Sequence, residues 1–383
     1  MLTAEGLVRC AGDICLALAV LGCFYLLLAS IVVRRFKALQ PVKAARPVPV
    51  TVLVPLCGTE PGLDSRLRAL RDQDYDAPVQ IVCGIQNPTD PAIRVARSVA
   101  QERPGLSVDL HVERVIHGAN LKVSNLVNMV RRARHDVFVL VDSDIEVGPD
   151  YLSRVVGELQ KPEVDAVTCL HYGIARGGIW PRLAAMGANA HFLPNVAVAM
   201  TLGLAQPCFG ATIAFSRDVL CRIGGFGAFK DQLWDDYAIG QSIRRMGREV
   251  SVPPFALGHV YSEMSARQLI DNQLRFARTI RSIDPVGFAG GVITHPFPIA
   301  LLAVLLGAGE RGVEVAIVAL AGRLGLYWCV GQRWGVRLES PWLMPMRDVL
   351  AFALHVAAFF GASVVWRGRR YRVSRGMLLP NPE

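Results

Sequence analysis

Long apolar stretches near both ends constrain the fold of this chain more than any other feature. Leu16 to Val33 contains no charged residue, and its length approaches the ~20 residues that a spanning helix needs. Three further candidates lie in the C-terminal part: Val286 to Gly307, Val313 to Val330 and Val349 to Val365. The sequence therefore predicts membrane helices at both ends, with a separate domain between them.

The order of charge and apolar residues predicts the membrane orientation. A cleaved signal peptide is the alternative for the first stretch, but its basic residues, Arg34 and Arg35, follow it instead of preceding it. The positive-inside rule then places the residues from Arg34 onward in the cytoplasm. Three C-terminal crossings would leave the basic tail, Arg367 to Arg375, outside. One of the three is therefore expected to be re-entrant or interfacial, and the first, broken by prolines, and the second, interrupted by Arg323, are the suspects.

Composition agrees with a soluble domain joined to membrane segments. The chain has 383 residues, of which 52% are hydrophobic and 19% are charged. The net charge of +9 could suggest nucleic acid, but the arginines cluster beside the apolar stretches, so juxtamembrane charge explains it and no nucleic-acid partner is predicted. The nine cysteines follow no zinc or Cys-x-x-Cys spacing and are expected to be reduced thiols.

The middle of the chain alternates short apolar runs with segments of helical periodicity, which predicts an α/β domain. Strands are predicted over Val48 to Leu56, Val79 to Ile85, Val108 to Val112, Val137 to Val141, Ala166 to Leu170 and Ala211 to Phe215, and helices over Pro61 to Asp74 and Asp235 to Met246. The predicted organisation is a membrane anchor (1–36), a linker (37–48), an α/β domain (49–284), a C-terminal membrane region (285–366) and a basic cytoplasmic tail (367–383).

Two carboxylates follow the predicted strand Val137 to Val141. Asp142 and Asp144 stand one residue apart, so their side chains can meet at one divalent cation. The crevice outside the carboxyl ends of strands is also where open α/β sheets bind ligands. An Asx turn is the alternative for an isolated Asp-x-Asp. Since the sequence has neither a dinucleotide-binding glycine motif nor a Walker sequence, a phosphate ligand would need a metal and side chains to neutralise it.

Seven motifs occur in a fixed order. They are Pro55-Leu-Cys-Gly58, Gln86-Asn-Pro-Thr-Asp90-Pro-Ala, Gly118-Ala-Asn120-Leu-Lys122-Val-Ser-Asn125-Leu, Asp142-Ser-Asp144, Phe209-Gly-Ala-Thr, Gly224-Gly-Phe and Asp235-Asp236-Tyr. In this order they resemble the inverting membrane glycosyltransferases of the ceramide glucosyltransferase type. The resemblance covers the predicted α/β domain and extends to the tail that begins at Trp366. It implies a GT-A type nucleotide-diphospho-sugar transferase fold, with a mixed, mostly parallel sheet and helices on both faces.

The resemblance also implies a role for each motif. Asp90 would hold the uracil or ribose of the donor, Asp142 and Asp144 would bind Mg²⁺ or Mn²⁺, and Asp236 would be the catalytic base. The residues assigned to the nucleotide sugar are Pro55, Asp90, Asn120, Lys122, Asp142 and Arg275, and those assigned to the acceptor are Asp235, Asn272 and Phe276. Asp90 also fits a plain turn residue, and acidic residues at 235 and 236 also suit a helix N-terminus. His259 could be a further metal ligand, but a lone histidine is more often structural and is left out of the predicted set.

One motif departs from the family pattern of Gln or Arg, two residues, then Arg-Trp. Here the stretch reads Asn272-Gln-Leu-Arg275-Phe276, so the aromatic face remains but the indole N–H donor is lost. An amphipathic helix at an anionic lipid surface is the alternative for this segment. Leu183 to Ala205 is expected to be either a core helix or a wall of a lipid-acceptor groove.

Three hypotheses for function follow. In the first, the motifs at 118–126 and 208–212 are similar to bacterial hopanoid-pathway enzymes, which implies transfer of N-acetylglucosamine from UDP-N-acetylglucosamine to bacteriohopanetetrol. The second is a ceramide glucosyltransferase that uses UDP-glucose, and the third is a non-catalytic transport or scaffold protein that only binds a nucleotide sugar. The predicted location is the bacterial inner membrane, as a multi-pass protein with its catalytic domain in the cytoplasm. The expected partners are a UDP-sugar, a membrane lipid and the bilayer, without an obligate protein partner.

Overall fold

The computed structural model describes residues 3–36, 43–103, 107–361, 363–366, 369–374 and 377–380. The chain forms two compact units, each built from several segments. The α/β unit contains residues 37–171, 207–262 and 376–383, and the helical unit contains residues 1–36, 172–206 and 263–375.

The α/β unit alternates strands and helices along the chain, as predicted. Its strands are β1 (Val50–Pro55), β2 (Val79–Ile85), β3 (Ser107–Val112), β4 (Val137–Val141), β5 (Ile145–Glu146), β6 (Val164–Thr168), β8 (Thr212–Ser216), β9 (Glu249–Ser251) and β10 (Ala256–Tyr261). Its helices are α2 (Leu63–Arg71), α3 (Ala92–Glu102), α4 (Leu121–Val130), α5 (Tyr151–Leu159), α8 (Arg217–Arg222) and α9 (Asp235–Arg245). The chain leaves this unit within β7 (Leu170–Ala175) and β13 (Met377–Pro380) returns to it.

A seven-stranded sheet with the order β3-β2-β1-β4-β8-β6-β9 forms the centre of this unit. The first four strands pair in parallel, β8 runs antiparallel between β4 and β6, and β9 pairs in parallel with β6. The short β5 pairs with β10. The predicted mixed, mostly parallel sheet is therefore confirmed.

Helices cover both faces of the sheet, because its strands are apolar on both sides. On one face α2, α3 and α5 pack on β1 and β2, with Leu67 and Leu70 of α2 fully buried. On the other face α4, α8 and α9 pack on β4 and β8, with Leu126 and Met129 of α4 fully buried. The two cores fix the loops at the ends of the strands, where the site lies.

The helical unit contains the apolar stretches. Its helices are α1 (Ala4–Arg35), α6 (Ile179–Gly187), α7 (Leu193–Thr201), α10 (Ala266–Ile283), α11 (Pro285–Gly290), α12 (Pro296–Ala303), α13 (Gly309–Trp334) and α14 (Met344–Ala358). The strands β11 (Ser363–Trp366) and β12 (Arg369–Ser374) pair antiparallel. A π-helical segment, Ala188–Phe192, joins α6 to α7, and a second one, Val304–Ala308, follows α12.

Among the described residues, two helical stretches are long and apolar enough to cross a membrane: Ala4–Arg35 and Pro296–Trp334. The second is not straight. Gly307 and Gly309 have φ angles of 96° and 56°, in a region that favours glycine because it has no Cβ. The helix therefore breaks between α12 and α13.

The arm before the break runs antiparallel to α1. A methyl group built on Gly22 would lie 2.7 Å from Pro296 Cβ, and one built on Gly12 would lie 2.8 Å from the carbonyl oxygen of Leu306. Residues later in this arm, which consists of α12 and the π-helical segment after it, thus contact residues earlier in α1. The two glycines allow the close backbone approach that this packing needs.

The arm after the break runs parallel to α1. A methyl group on Gly322 would lie 3.3 Å from Leu26 Cδ1, and Arg34 Nε lies 3.2 Å from Cys329 Sγ. Because one arm is antiparallel to α1 and the other is parallel, α12 and α13 form a hairpin.

The charge inside α13 is paired. Arg323 is fully buried, and its guanidinium lies 3.3 Å from the fully buried Asp348 of α14. It also donates to the carbonyl oxygens of Ala190 and Thr294, while Asp348 lies 2.9 Å from His191 Nε2. Arg323 therefore joins α13 to three other segments of the helical unit, as intramembrane charges with partners do.

The prediction of a membrane helix over Val349 to Val365 is wrong. Helix α14 has only 15 residues and ends at Ala358, and residues 363–366 form β11. The charged pair Arg347 and Asp348 lies inside its first two turns, so that only residues 349–358 of the helix follow these charges, too few to cross a membrane.

The predicted boundary at residue 284 differs from the division into compact units. Residues 172–206 and 263–284 belong to the helical unit instead of the α/β unit. They form α6, α7 and α10, whose apolar or amphipathic surfaces suit helix packing better than a place on the sheet.

Candidate active site

The candidate site lies at the carboxyl edge of the parallel strands. Asp90 follows β2 and Asp142 follows β4, and parallel strands end at the same edge of a sheet. Strand β8 is antiparallel to β4, with Val141 opposite Thr212, so it starts at this edge and brings Gly210 there. Helices α4 and α9 begin with Lys122 and Asp236 in their first turns.

Both members of the acidic pair have a cationic or imidazole neighbour. Lys122 Nζ lies 2.6 Å from Asp142 Oδ1, and His259 Nε2 lies 3.1 Å from Asp144 Oδ2. The His259 ring stacks on Tyr261, with a centroid distance of 4.5 Å, and the tilted ring of His171 lies 5.0 Å away. The histidine that the sequence analysis left out of the metal set is thus in contact with Asp144.

The two carboxylates differ in their electrostatics. Burial, followed by the charge of Asp144, raises the pKa of Asp142, although Lys122 opposes this. Burial also acts to raise the pKa of Asp144, but His259 and then Lys122 and Arg66 outweigh it and lower that pKa to about 2. Asp144 is therefore ionised at all physiological pH values.

The two carboxylates suit a divalent cation whose remaining ligands come from a phosphate group. Asp144 Oδ1 is buried and has no hydrogen-bond partner among the described residues, which is a costly state for a carboxylate oxygen. Within the described part of the chain, no group of three or more His, Cys, Asp or Glu side chains could hold an ion by itself. Mg²⁺ commonly takes one or two carboxylates and receives its other ligands from water and substrate phosphates, so two carboxylates fit this mode.

Asp236 stands at the start of α9 with both oxygens held by backbone. Its Oδ2 accepts from the Gly210 N–H at 2.8 Å, and its Oδ1 accepts from the Tyr237 N–H at 2.8 Å. Burial and the neighbouring charge of Asp235 raise its pKa to about 6, although Lys122 and the two N–H donors oppose this. A carboxylate with this pKa is well suited to act as a base near neutral pH.

Gly210 marks the point where three predicted functional groups meet. A methyl group built on it would lie 3.2 Å from Lys122 Nζ, 3.3 Å from Asp142 Oδ2 and 3.3 Å from Asp236 Oδ2. The fold thus brings together residues from α4, the end of β4 and the start of α9. The candidate base and one member of the acidic pair thus both reach the position of Gly210.

Asn120 connects two of these elements. It caps α4, with its Oδ1 accepting from the Val123 N–H at 3.0 Å, while its Nδ2 donates to Gln232 O at 2.8 Å and to Asp235 Oδ1 at 3.1 Å. Asp235, assigned above to the acceptor, is only 6% exposed. In this structure both residues fix the start of α4 against the start of α9.

Asp90 is engaged with backbone. Its Oδ1 accepts from the Ala92 N–H and its Oδ2 from the Gly58 N–H, both at 2.9 Å. These contacts match the turn alternative and also hold the loop after β1, the strand that ends at the buried Pro55. Carboxylate oxygens have further lone pairs, so a contact with the nucleotide stays a prediction.

The predicted residues Asn272, Arg275 and Phe276 lie on α10 in the helical unit. The Arg275 guanidinium lies over the Phe276 ring, 4.4 Å from its centroid, and Phe276 is half exposed. Two other arginines of this helix, Arg278 and Arg281, donate to backbone carbonyls between residues 359 and 363. Both arginines thus hold the segment that follows α14.

Two charged residues near the acidic pair were absent from the sequence prediction. Burial, followed by the charges of Asp144 and Asp142, raises the pKa of Glu60 to about 7. Arg66, which is 3% exposed, donates to the carbonyl oxygen of Ser143 at 2.6 Å. The position of Glu60 in the loop after β1 was a sequence signal for its place near the site. Nothing in the sequence indicated Arg66, because its acceptor is a backbone atom.

Substitution of Gly210 by alanine tests whether Lys122, Asp142 and Asp236 act together at this point. The added methyl group would stand within 3.3 Å of three polar atoms, so Lys122, Asp142 or Asp236 must shift by some tenths of an ångström. Misplacement of reacting groups is costly, and we expect kcat for the reaction proposed below to fall roughly tenfold or more. The control is Gly227→Ala in the same unit, where no described atom lies within 4 Å of an added methyl group. Equal activity of the two variants would contradict the convergence.

Comparison with protein families gives one match over most of the chain. The model described as Glycosyl transferase family 21 matches residues 14–379. Ceramide glucosyltransferase 1 of Caenorhabditis elegans is 24% identical over 204 residues, which cover 53% of this chain and 43% of that protein. The ceramide glucosyltransferase of Gibberella zeae is 31% identical over 164 residues, which cover 37% of this chain and 30% of that protein. The matched part thus spans less than half the length of these relatives.

Comparison with solved structures supports the fold. A mannosyltransferase from Pyrobaculum calidifontis, in complex with GDP-Man and Mn²⁺, has a TM-score of 0.52 and 23% sequence identity. The alignment covers 91% of this chain and 97% of that chain. Together with the mixed sheet and its two layers of helices, this likeness confirms the predicted GT-A type fold.

Proposed function

We propose that this chain, which belongs to glycosyl transferase family 21, transfers a sugar from a UDP-sugar to a hydroxyl group of a membrane lipid. The observation that carries the proposal is the convergence of Lys122, Asp142 and Asp236 around Gly210. Diphosphate binding needs positive charge and metal-binding carboxylates, and displacement at the anomeric carbon needs a base. All three requirements are met at one point of the fold.

The proposed reaction is a single displacement with inversion. Asp236 takes the proton from the acceptor hydroxyl as its oxygen attacks the anomeric carbon, and UDP leaves from the opposite face. Lys122, the point charge nearest to the acidic pair, contacts the diphosphate. Asp142 and Asp144 would hold Mg²⁺ or Mn²⁺, which stabilises negative charge on a departing diphosphate. The backbone donors of Gly210 and Tyr237 orient the Asp236 carboxylate.

The mannosyltransferase with the same fold contains Mn²⁺ and a nucleotide sugar, which supports a metal-dependent donor site here. For the donor and acceptor we propose UDP-N-acetylglucosamine and bacteriohopanetetrol, on the motifs at 118–126 and 208–212. UDP-glucose and ceramide are the alternative, since two relatives are ceramide glucosyltransferases. A non-catalytic nucleotide-sugar-binding protein is the third candidate, and the candidate base with its raised pKa argues against it.

The helical unit supports a lipid acceptor. A groove of about 880 Å³ between α1 and α13 is lined mainly by apolar side chains, including Phe24, Leu27 and Val318, with Arg34 at one end. A hydrocarbon chain fits such a surface.

The hairpin also suggests a topology. Because α12 and α13 run in opposite directions, the hairpin enters and leaves the membrane on the same side. With the positive-inside rule, that side is the cytoplasm, where UDP-sugars are found. We therefore keep the proposal of an inner-membrane protein with a cytoplasmic catalytic domain.

This function is tested by assaying each donor against each acceptor. Membranes that contain the protein are incubated with UDP-N-acetylglucosamine or UDP-glucose, against bacteriohopanetetrol or ceramide, and the glycolipids are separated by mass. We expect product only with N-acetylglucosamine and the hopanoid. Product with glucose and ceramide would support the alternative, and no product in any combination would favour the non-catalytic candidate.

The pH dependence of the reaction should reveal the base. Because Asp236 acts as an anion and its pKa is about 6, kcat/KM should be constant above this value and fall up to tenfold per pH unit below it. Neutralising the neighbouring charge with Asp235→Asn should move the inflection to lower pH. Glu60, whose pKa of about 7 depends on other carboxylates, should not respond to that change. An inflection that stays in place in Asp235→Asn would contradict the assignment.

A further inference from the structure

Arg66 is a buried arginine at the edge of the proposed metal site. Its side chain is 3% exposed, and all three guanidinium nitrogens have an acceptor. Nε donates to the carbonyl oxygen of Ser143 at 2.6 Å, Nη1 to that of Pro61 at 2.9 Å, and Nη2 to Glu60 Oε2 at 3.3 Å. Ser143 is the residue between the two aspartates.

The backbone of Arg66 is rigidly placed. It lies on α2, whose residues Leu63, Leu67 and Leu70 are at most 2% exposed in the core beneath the sheet. A guanidinium is planar and donates in fixed directions. The Ser143 carbonyl is therefore held by a group that the core itself positions.

The direction of this carbonyl governs the directions of both carboxylates. The Ser143–Asp144 peptide plane includes that carbonyl, and Asp142 precedes it by one residue. On the inner side, the Ile145 N–H donates to the carbonyl oxygen of Asp142 at a longer distance of 3.2 Å. Besides this bond, the Val260 N–H of β10 donates to the carbonyl oxygen of Asp144 at 2.9 Å. Neither bond reaches the Ser143 carbonyl, which Arg66 holds by a charge-assisted bond, the stronger type.

We propose that Arg66 is a positioning residue for the proposed metal site: by fixing the Ser143 carbonyl, it sets Asp142 and Asp144 in the geometry that binds a divalent cation together with the UDP diphosphate. This inference rests on the proposed function. Groups that orient metal ligands commonly contribute 10–100-fold to metal affinity.

A purely electrostatic role and a positioning role of Arg66 predict opposite effects of substitution on metal binding. Arg66 is a cation close to Asp144, so its charge alone opposes the binding of a second cation. If only charge mattered, Arg66→Gln would tighten metal binding and Arg66→Lys would leave it unchanged. If Arg66 positions the turn, both variants weaken binding, because neither glutamine nor lysine can donate to all three acceptors in the same plane.

Arg71 provides a matched control on the same helix. Its side chain is 4% exposed, and it also donates to a backbone carbonyl, that of Val99 at 2.9 Å, and to carboxylates, those of Asp72 and Glu102. None of these acceptors belongs to the acidic pair. Arg71→Gln therefore removes a comparable buried arginine without touching the turn between the aspartates.

The experiment measures Mn²⁺ binding to the purified full-length protein, by electron paramagnetic resonance, with and without UDP. In the presence of UDP we expect Kd for Mn²⁺ to rise roughly 10–100-fold in Arg66→Gln, to rise less in Arg66→Lys, and to stay at the wild-type value in Arg71→Gln. Thermal melting of each variant provides the measure of folding. If Arg66→Gln fails to fold, Arg66→Lys, which keeps the charge, still decides the question.

The outcomes separate this inference from the proposed function. Wild-type affinity in a folded Arg66→Gln or Arg66→Lys, or tighter binding in Arg66→Gln, would overturn the positioning role and leave the transferase proposal intact. Equal weakening in Arg71→Gln would overturn it too, since the effect would then come from loss of any buried arginine. If the wild-type protein binds no Mn²⁺ even with UDP, the proposed metal site itself is wrong and the inference fails with it.

Discussion

Asp236→Asn should abolish sugar transfer while the UDP-sugar still binds. General-base catalysis contributes typically 10²–10⁴-fold, so we expect kcat to fall by about this factor or more. Binding of the UDP-sugar should be retained because Lys122, Asp142 and Asp144 are unchanged. The measurements are kcat with the lipid acceptor, and UDP-sugar affinity by calorimetry.

The neighbouring residue provides the control for this substitution. Asparagine at 236 places an NH₂ group against the N–H of Gly210 or Tyr237, which now donate to the carboxylate, so thermal stability must be compared as well. Asp235→Asn removes the same charge, and Asp235 Oδ2 has no hydrogen-bond partner among the described residues, so its amide meets no such donor there. We expect the larger loss of kcat in Asp236→Asn. The reverse order would assign the base to Asp235.

The strands and the acidic pair could be predicted because their signals are local. The predicted bounds of β2 and β4 agree with the structure to the residue, since each is a short apolar run that ends at polar residues. The position of Asp142 and Asp144 at the carboxyl edge then follows from parallel pairing. Neither step needs knowledge of distant contacts.

The remaining site residues depend on contacts that the sequence does not encode locally. Gly210 matters because a strand antiparallel to β4 carries it to the acidic pair, and Arg66 matters because of a bond to a backbone carbonyl. A backbone acceptor leaves no mark on the residue type at Ser143. The sequence predicts a structural role for the lone His259, because its contact with Asp144 arises only from the pairing of β10 with β5.

The membrane region was misjudged for a related reason. Hydropathy marks the apolar runs, but the pairing of Arg323 with Asp348 is a tertiary contact between two helices. Such a pair makes the charge in α13 compatible with a long helix. The reversal at Gly307 and Gly309 is equally invisible to hydropathy, because glycine is common within membrane helices.

The contacts of Asp142 and Asp144 indicate how the donor and the metal would bind. Lys122 is tied to Asp142 Oδ1 at 2.6 Å, and Asp144 Oδ1 has no hydrogen-bond partner among the described residues. A diphosphate attracts Lys122, and a cation attracts both carboxylates. Binding of the two together therefore exchanges one internal ion pair for several contacts to the ligand, so metal and donor should bind cooperatively.

Removal of divalent metal should abolish activity. With EDTA we expect transfer to fall to background, and excess Mg²⁺ or Mn²⁺ should restore it, because negative charge on departing UDP is then stabilised again. In addition, UDP should raise the affinity for Mn²⁺, and Mn²⁺ should raise the affinity for UDP by the same factor, since coupling of binding is reciprocal. Glycolipid formation and calorimetric titrations measure these effects.

Asp144→Asn tests the metal site more specifically than Asp142→Asn does. Asp142→Asn also deprives the mostly buried Lys122 of its ion-pair partner, and an unpaired buried charge can cost about 3–5 kcal/mol of folding free energy. Asp144→Asn leaves that pair in place and removes the charge next to the oxygen without a hydrogen-bond partner. We expect it to fold, to need much more Mn²⁺ for half-maximal activity, and to lose the coupling between Mn²⁺ and UDP. Full activity after exhaustive EDTA treatment, or an unchanged Mn²⁺ requirement in this variant, would show that Asp142 and Asp144 serve the turn alone.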